Sequence, residues 1–255
     1  MSIACKWNWH NTGRQVWYDK TTYETLKATY PLYFYDDFLG VAGGSVFDGT
    51  AIWNTLDVSV GGAPTVAIVA DSSGGHFLLA LDAFNEDQDV VLYQYNTALA
   101  DDNLTFDVGN GLIFETRINM AVVPGTGVCA VAGMSGPHNL VKDTIANSAW
   151  FRWDASQVCK VETDDTTAGH ENDDVATGVT TVAGTYNIFR IDFTTLSDVK
   201  FFIDGVRVAT GTTFDMSDLT AGEQQMQPYF SLDKTGSVEL GSMNIDYVKI
   251  WSNRA

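Results

Sequence analysis

The sequence predicts an all-β sandwich of two antiparallel sheets, and two runs near its end carry that prediction. Residues 199–208 place strand-forming side chains on both sides of Asp204 and Gly205, a pair that accepts positive φ and suits a two-residue hairpin turn. Residues 243–251 alternate between two faces, as a strand that closes a sheet does. Both observations favour pleated, half-buried strands.

The elements before these runs follow the same pattern from about residue 33 onward. Short apolar or alternating segments are separated by clusters of Gly, Asp and Asn, which is the spacing of a sandwich rather than of alternating strands and helices. No repeat or long linker interrupts them, so 34–255 is predicted to be one domain. Candidate strands are predicted at 33–38, 65–70, 76–81, 89–95, 111–120, 127–134, 149–154, 157–163, 186–193, 199–204, 207–210, 226–232 and 243–251.

Residues 1–33 differ from the rest and are predicted to form an N-terminal arm. Thr21–Glu24 has the pattern of a capping box, so a short helix is expected from there through Ala28, ended by Pro31. Indole and phenol rings on a polar arm suit an interface with a neighbouring molecule. Folding back onto the chain's own sheet is an equal alternative. The aromatic residues of this interaction arm are Trp7, Trp9, Trp17 and Tyr18.

Composition narrows the range of partners. Acidic residues outnumber basic ones by 32 to 14, which gives a formal net charge of -18 over 255 residues. Nucleic acids and anionic membranes attract clustered Lys and Arg, so both are disfavoured as partners. No run approaches the roughly 18 apolar residues that a membrane span needs.

Cysteine usage and the first residues favour folding in a cytoplasm. Cys5, Cys129 and Cys159 cannot all pair within one chain. Cys129 and Cys159 lie in apolar, strand-like segments and are predicted to be small buried side chains, with a bridge between them as the alternative. Residues 1–10 lack the apolar core of a secretory signal.

A series of strand motifs occurs in order along the chain. The series is FYDDF (34–38), NEDQD (85–89), LIFETR (112–117), WFRWD (150–154), YNIFRIDF (186–193), FFIDG (201–205) and IDYV (245–248). Over residues 33–251 it resembles the laminarinase-like jelly roll of the concanavalin A-like lectin and glucanase superfamily. In particular, it resembles the version of this domain found in structural proteins of tailed-bacteriophage virions.

The glucanases of this superfamily supply their catalytic carboxylates from one strand as Glu-x-Asp-x-Glu, and the resemblance directs attention to that pattern. The nearest segment, 162–166, has Thr166 where the second catalytic carboxylate belongs. Without that acid the leaving group cannot be protonated. No catalytic residue is therefore predicted, and the chain is expected not to be an enzyme.

Other polar groups are interpreted as structural. Glu115 and Arg117 share one face of a predicted strand, where an ion pair is favoured over a lyase-like site. The four histidines are scattered and are expected to be surface or core residues rather than ligands. They are His10, His76, His138 and His170.

No cofactor is predicted, and calcium is the metal considered. An acidic segment between two strands is interpreted as a solvated loop, with calcium binding as the alternative. The resemblance adds Asp246 as a weak calcium candidate, because several relatives use an Asp of the last strand for a structural calcium. The acidic segment carries Glu162, Asp164, Asp165, Glu171, Asp173 and Asp174.

The resemblance, with no catalytic pattern, predicts a non-enzymatic virion protein. It would decorate the capsid exterior after assembly in the host cytoplasm, contact a major capsid protein or other virion proteins through the arm and sheet surfaces, and form a homo-oligomer. The alternative is a carbohydrate-binding module on the virion, with a surface glycan as partner. A glycoside hydrolase or polysaccharide lyase is the least favoured function. The aromatic platforms considered for the glycan are Trp53, Trp150, Trp153 and Tyr229.

Overall fold

The chain forms the expected all-β sandwich. A computed structural model describes residues 32–38, 53–69, 75–95, 104–167 and 169–252 in full. For three N-terminal strands, β1 (Cys5–Trp9), β2 (Gln15–Asp19) and β3 (Thr25–Ala28), it describes the backbone. The helices in these ranges are three-residue turns, too short to traverse a bilayer.

One of the two large sheets, here called the front sheet, is antiparallel throughout. A short strand, β9 (Phe106–Asp107), adds to its fifth strand. In spatial order its strands are β14 (Asn172–Thr180), β13 (Val158–Asp164), β12 (Ser148–Asp154), β11 (Val128–Ser135), β18 (Gln225–Ser237), β8 (Glu86–Tyr93) and β5 (Asn54–Val58).

The second large sheet, the back sheet, is also antiparallel. Its fifth strand also pairs with β4 (Leu32–Asp36). In spatial order its strands are β17 (Val206–Arg207), β16 (Lys200–Ile203), β15 (Tyr186–Asp192), β10 (Ile113–Val122), β19 (Ser242–Ser252), β7 (Phe77–Ala80) and β6 (Thr65–Ile68).

The main core lies between the two sheets and is rich in aromatic rings. Phe151 of the front sheet meets Phe189 of the back sheet at 4.9 Å between ring centroids and Phe201 at 5.4 Å. Trp153 meets Phe189 edge-on at 5.3 Å. Because edge-to-face contacts align the ring quadrupoles favourably, these contacts fasten the two sheets together.

The closing hairpin and last strand are confirmed. Asp204 and Gly205 adopt φ values of 49° and 76°, the left-handed pair that a type I′ turn requires. They join β16 to β17 with Ile203 paired to Val206. The predicted strand over 243–251 is β19, which pairs with β10, β7 and β4.

The sequence did not predict β5 and β14, the two edge strands of the front sheet. The interpretation of the acidic segment as a loop between two strands is therefore corrected, because β13 and β14 form a hairpin that carries most of it. An edge strand has one neighbour and buries little of its surface. β14 is accordingly rich in Asp, Asn, Thr and Gly and lacks the apolar alternation of central strands.

At the N-terminus the expected helix is not confirmed. Thr25–Ala28 is instead the third strand of an antiparallel sheet in the order β1-β2-β3, and Thr21–Glu24 lies outside the described residues. The division into an arm (1–33) and a sandwich (34–255) stays a prediction.

Cys129 and Cys159 are buried free thiols, which confirms their interpretation as small buried side chains. Cys159 faces the main core, whereas Cys129 belongs to a second cluster on the opposite face of the front sheet, so the sheet separates the two sulfurs. The side chain of Cys5 lies outside the described residues.

We expect Trp153→Ala to lower the free energy of unfolding by about 3–5 kcal/mol, because it leaves a cavity between the sheets and frees Thr181 from its bond with the indole N–H. Chemical denaturation followed by circular dichroism measures the loss. Val182→Ala, at a side chain 62% exposed, is the control and should cost less than about 0.5 kcal/mol. Equal losses for both variants would contradict the core role of Trp153.

Candidate functional site

A cleft of about 250 Å³ opens on the face of the front sheet that points away from the core. It lies between the loop that joins β11 to β12 (residues 136–147, here the β11–β12 loop) and the β13–β14 hairpin. The residues that line it are Lys142, Asp143, Ile145, Ser148, Trp150, Arg152, Glu162, Thr163, Asp164, Glu171, Asp173 and Asp174.

Strand alternation places the side chains of the cleft floor. On β12, Phe151 and Trp153 enter the core, so Trp150 and Arg152 point outward. Trp150 is paired in register with Glu162 of β13. On β11, a Cβ at the position of Gly133 would lie 2.6 Å from the Cα of Trp150, so glycine is required where these strands approach.

Glu162 is a carboxylate of the cleft floor that accepts three hydrogen bonds. Its Oε2 accepts hydrogen bonds from Trp150 Nε1 at 2.8 Å and from Arg152 Nη1 at 3.2 Å, and its Oε1 accepts one from the Asp174 amide at 3.3 Å. Burial raises the pKa of Glu162, while the bonds from Trp150 and Arg152 oppose the rise. The side chain can therefore hold a proton more readily than an exposed glutamate.

Four of the remaining carboxylates of the hairpin repel one another. Burial raises the pKa of Asp164, and the charges of Asp165 and Asp173 raise it further. The charges of Asp173 and Asp164 raise the pKa of Glu171. The residues lining the cleft include six carboxylates and two cationic groups, so the site disfavours anionic ligands.

The two cationic groups are already engaged. Arg152 bonds Asp143 of the β11–β12 loop at 2.6 Å as well as Glu162, and lies 3.7 Å from Asp154. Lys142 donates to Ser231 Oγ at 3.2 Å and forms an ion pair with Asp233. The free hydrogen-bonding capacity of the cleft is therefore mainly that of acceptor oxygens.

The β11–β12 loop covers the centre of the outward face of the front sheet. The His138 ring is stacked on Tyr93, 5.0 Å between centroids, and on Tyr229 at 5.9 Å. Its Nδ1 lies 3.0 Å from the Tyr229 hydroxyl. Burial lowers the pKa of His138 to about 4, so the imidazole is neutral near pH 7. Ile145 joins Trp150 in the second apolar cluster.

The four aromatic residues considered as glycan platforms are all buried. Trp53 and Trp153 belong to the main core. Trp150 and Tyr229 lie on the outward face of the front sheet, in the second cluster, where their rings pack at 6.3 Å. Strand alternation could separate these two pairs, but it could not predict that the β11–β12 loop lies over Tyr229.

Glu115 and Arg117 share the outward face of the back sheet, but the ion pairs lie across strands. Glu115 is buried and accepts bonds from Arg190 at 2.6 Å and from the Tyr247 hydroxyl at 3.1 Å. Arg117 pairs with Asp246 at 2.7 Å. The weak calcium candidate Asp246 therefore already balances a guanidinium charge. Both carboxylates hold strands together.

Among the fully described residues, no group of three or more His, Cys, Asp or Glu side chains is arranged to hold a metal ion. His170 lies on the β13–β14 hairpin, where its Nδ1 is 3.1 Å from Asp165 Oδ2. His10 lies outside the described residues. For the interaction arm, Trp7 and Trp9 lie on β1, and Trp17 and Tyr18 on β2, with their backbones described and their side chains not; the interface role stays a prediction.

No protein-family model matches the sequence, and a search of curated proteins finds no relative. Solved structures do match the fold. A glycoside hydrolase family 16 endo-glucanase from Bacteroides ovatus is 15% identical, with a TM-score of 0.56 over 85% of this chain and 99% of that chain. A β-glucanase-like protein from Mycobacterium abscessus is 15% identical, with a TM-score of 0.52 over 86% and 99%. The carbohydrate recognition domain of Emp46p is 10% identical, with a TM-score of 0.51 over 86% and 96%.

These likenesses establish a concanavalin A-like jelly roll, as the resemblance implied. They do not support the finer resemblance to phage virion proteins, and the prediction of a non-enzymatic phage structural protein is wrong: the similar structures include glucanases and a carbohydrate recognition domain. The motifs behind that prediction are strand patterns that jelly rolls of many functions share. The expected capsid partners and virion location stay predictions.

The expectation that the chain is not an enzyme is also corrected. Several of the similar structures are glucanases or glycoside hydrolases, and this finding overturns the expectation. That expectation depended on the absence of catalytic sequence patterns, with Thr166 in place of the second carboxylate as its main observation. A pattern missing from the sequence does not decide which groups the folded chain brings together.

We expect His138→Phe to flatten the dependence of the melting temperature on pH between about 6.5 and 4. The pKa of His138 is lowered from 6.5 to about 4, so the unfolded chain binds a proton that the folded chain resists. The stability that neutral His138 contributes above pH 6.5 is therefore lost as the pH falls through this window. Scanning fluorimetry of both proteins from pH 7.5 to 4 gives the comparison. Parallel curves for the variant and the parent would show that His138 is not held neutral.

Proposed function

We propose that the protein binds an uncharged polysaccharide chain in the cleft between the β11–β12 loop and the β13–β14 hairpin. The observation that carries the proposal is the position of this carboxylate-lined cleft, on the outward face of a sheet in a jelly roll whose fold is shared with glucanases and a carbohydrate recognition domain. The open cleft is too polar to suit an apolar ligand.

The chemistry of the lining favours sugar hydroxyls. A carboxylate accepts several hydrogen bonds, and charge-assisted bonds from hydroxyl groups are among the stronger ones available to a ligand without charge. Asp164, Glu171 and Asp173 supply such acceptors at the hairpin side of the cleft. The six carboxylates would repel uronic acid polymers, so a neutral glucan is the favoured class of ligand.

Hydrolysis of the bound glycan is the second candidate, and the pKa values of two carboxylates favour it. Glu162 and Asp164 lie two residues apart on β13 and line the same cleft, and burial is the largest cause that raises the pKa of each. A glycosidase needs one carboxylic acid to protonate the glycosidic oxygen and one carboxylate to act on the opposite side of the sugar. Glu162 would be the acid and Asp164 the partner carboxylate.

We expect the wild-type protein to be retarded in affinity electrophoresis through gels that contain a neutral β-glucan, and not through gels that contain alginate. Asp173→Ala and Glu171→Ala should each weaken binding by about tenfold, the effect of one lost charge-assisted hydrogen bond. Glu239→Gln, an exposed carboxylate outside the cleft lining, is the matched control and should bind like the wild type. If the wild type has the same mobility in every gel with a neutral glycan as in a gel without glycan, the binding proposal is wrong.

The hydrolytic candidate has a separate assay. Release of reducing ends from the bound glucan should fall by about 100-fold or more in Glu162→Gln, because the amide cannot donate the acid proton. Binding should survive in the same variant, since the amide keeps the shape of the side chain. If the wild type binds glucan but releases no reducing ends, the hydrolytic candidate is wrong and the binding function stands.

A further inference from the structure

The β11–β12 loop is fixed at its two ends, Gly136 and Asn147, here called its neck. The residues between them, 137–146, are called its body. At the neck, the Gly136 amide donates to the Asn147 carbonyl at 2.8 Å. Gln227 Nε2 donates to the Gly136 carbonyl at 2.8 Å, and the Asn147 side chain donates to the Glu223 carbonyl at 2.5 Å. Both ends of the loop are therefore hydrogen-bonded to β18 or to the turn that precedes it.

The body of the loop is held mainly by side chains. Among the described residues, one backbone hydrogen bond joins the body to the rest of the chain, from the His138 amide to the Tyr95 carbonyl at 3.2 Å. The other contacts are the stacked ring of His138, the Lys142 ion pair, the Asp143 pair with Arg152 and the apolar contact of Ile145. Such contacts can break without unfolding a strand.

The face beneath the loop carries the groups that sugar recognition uses. Tyr93 and Tyr229 present aromatic rings, and His138 is stacked on both in the manner of a flat ligand. Asp89 and Asp233 add carboxylates, and Asp89 accepts a bond from Ser231 at 3.0 Å. Asp89 Oδ2 is buried without a hydrogen-bond partner among the described residues, and burial raises the pKa of Asp89 to about 6.

Arg152 couples the loop to the open cleft. Its guanidinium bonds Asp143 of the loop and Glu162 of the cleft floor at the same time. A ligand hydroxyl that donates to Glu162 competes with Arg152 for that carboxylate, so occupation of the cleft changes the hydrogen bonding of the guanidinium that also holds Asp143. This shared cation links the loop to the occupancy of the cleft.

We propose that the β11–β12 loop is a lid over a second section of the glycan groove, which opens to extend the cleft across β11 and β18 to Tyr229 and Tyr93. The proposal rests on the function proposed above and adds its regulation. Short glycans bind in the open cleft with the lid closed. Longer chains displace His138 from the two tyrosines. Their apparent affinity is the affinity for the open state multiplied by the fraction of molecules in which the lid is open.

The reactivity of the two buried cysteines can report opening of the lid. Cys129 belongs to the same apolar cluster as Ile145 of the loop and lies within the electrostatic influence of Lys142, whereas Cys159 belongs to the main core on the other side of the sheet. In a Cys5→Ser background, a small thiol reagent under native conditions should label Cys129 at least about tenfold faster than Cys159, because the lid opens more often than the sandwich unfolds.

Two variants release the lid and one serves as the control. Lys142→Ala removes the ion pair with Asp233. Asp143→Asn removes the ion pair with Arg152, and because Asp143 is exposed we expect this variant to fold normally. Each should raise the labelling rate of Cys129 without changing that of Cys159. Lys200→Ala removes an ion pair with Asp198 on the back sheet and should change neither rate. Equal rates for both cysteines in every protein, rising together with denaturant, would overturn the lid.

Glycan length separates this proposal from the function on which it rests. Affinity should be measured by calorimetry for glucan oligosaccharides of increasing length. Because Lys142 and Asp143 also line the open cleft, the readout is the ratio of long-chain to short-chain affinity, which Lys142→Ala and Asp143→Asn should each raise by about tenfold. If the wild type binds glucan and the variants show no gain with length, the lid role is wrong and the binding function stands. If no glucan binds, both the binding function and the glycan role of the lid fail, and the labelling rates then report loop opening alone.

Discussion

The two-residue period of β12 and β13 is the constraint on which both the core and the cleft depend. Phe151 and Trp153 seal the sandwich because they point inward, and Trp150 and Arg152 form the cleft floor because they alternate with them. A shift of one residue in the pairing of β12 with β13 would exchange the two sets and place a guanidinium between the sheets. The core rings therefore also secure the geometry of the site.

The lining of the cleft is predominantly anionic. The chain carries a net charge of -18, and the β13–β14 hairpin concentrates part of it beside Glu162. Burial raises the pKa values of Glu162 and Asp164, and repulsion between carboxylates raises those of Asp164 and Glu171. The lining therefore disfavours additional negative charge. An edge strand that is rich in Asp also resists pairing with the sheets of other molecules.

The jelly roll and the loop that covers it contribute different things to function. The fold offers a broad sheet face that glucanases and lectin domains share, at an identity of 15% or less in the comparisons described. In this chain, the β11–β12 loop occupies the middle of that face through His138 and Lys142. What remains open is the part beside the hairpin, which explains why the cleft is dominated by carboxylates rather than by aromatic rings.

The sequence by itself determined the sandwich, the Asp204-Gly205 hairpin, the closing strand and the burial of Cys129 and Cys159, because alternation and turn chemistry are local properties. It also singled out the acidic segment and the string that contains Glu162 and Asp164. Tertiary structure decided the rest. The edge strand β14, the cross-strand partners of Glu115 and Arg117 and the cover over Tyr229 depend on contacts between distant segments, and no local pattern encodes them.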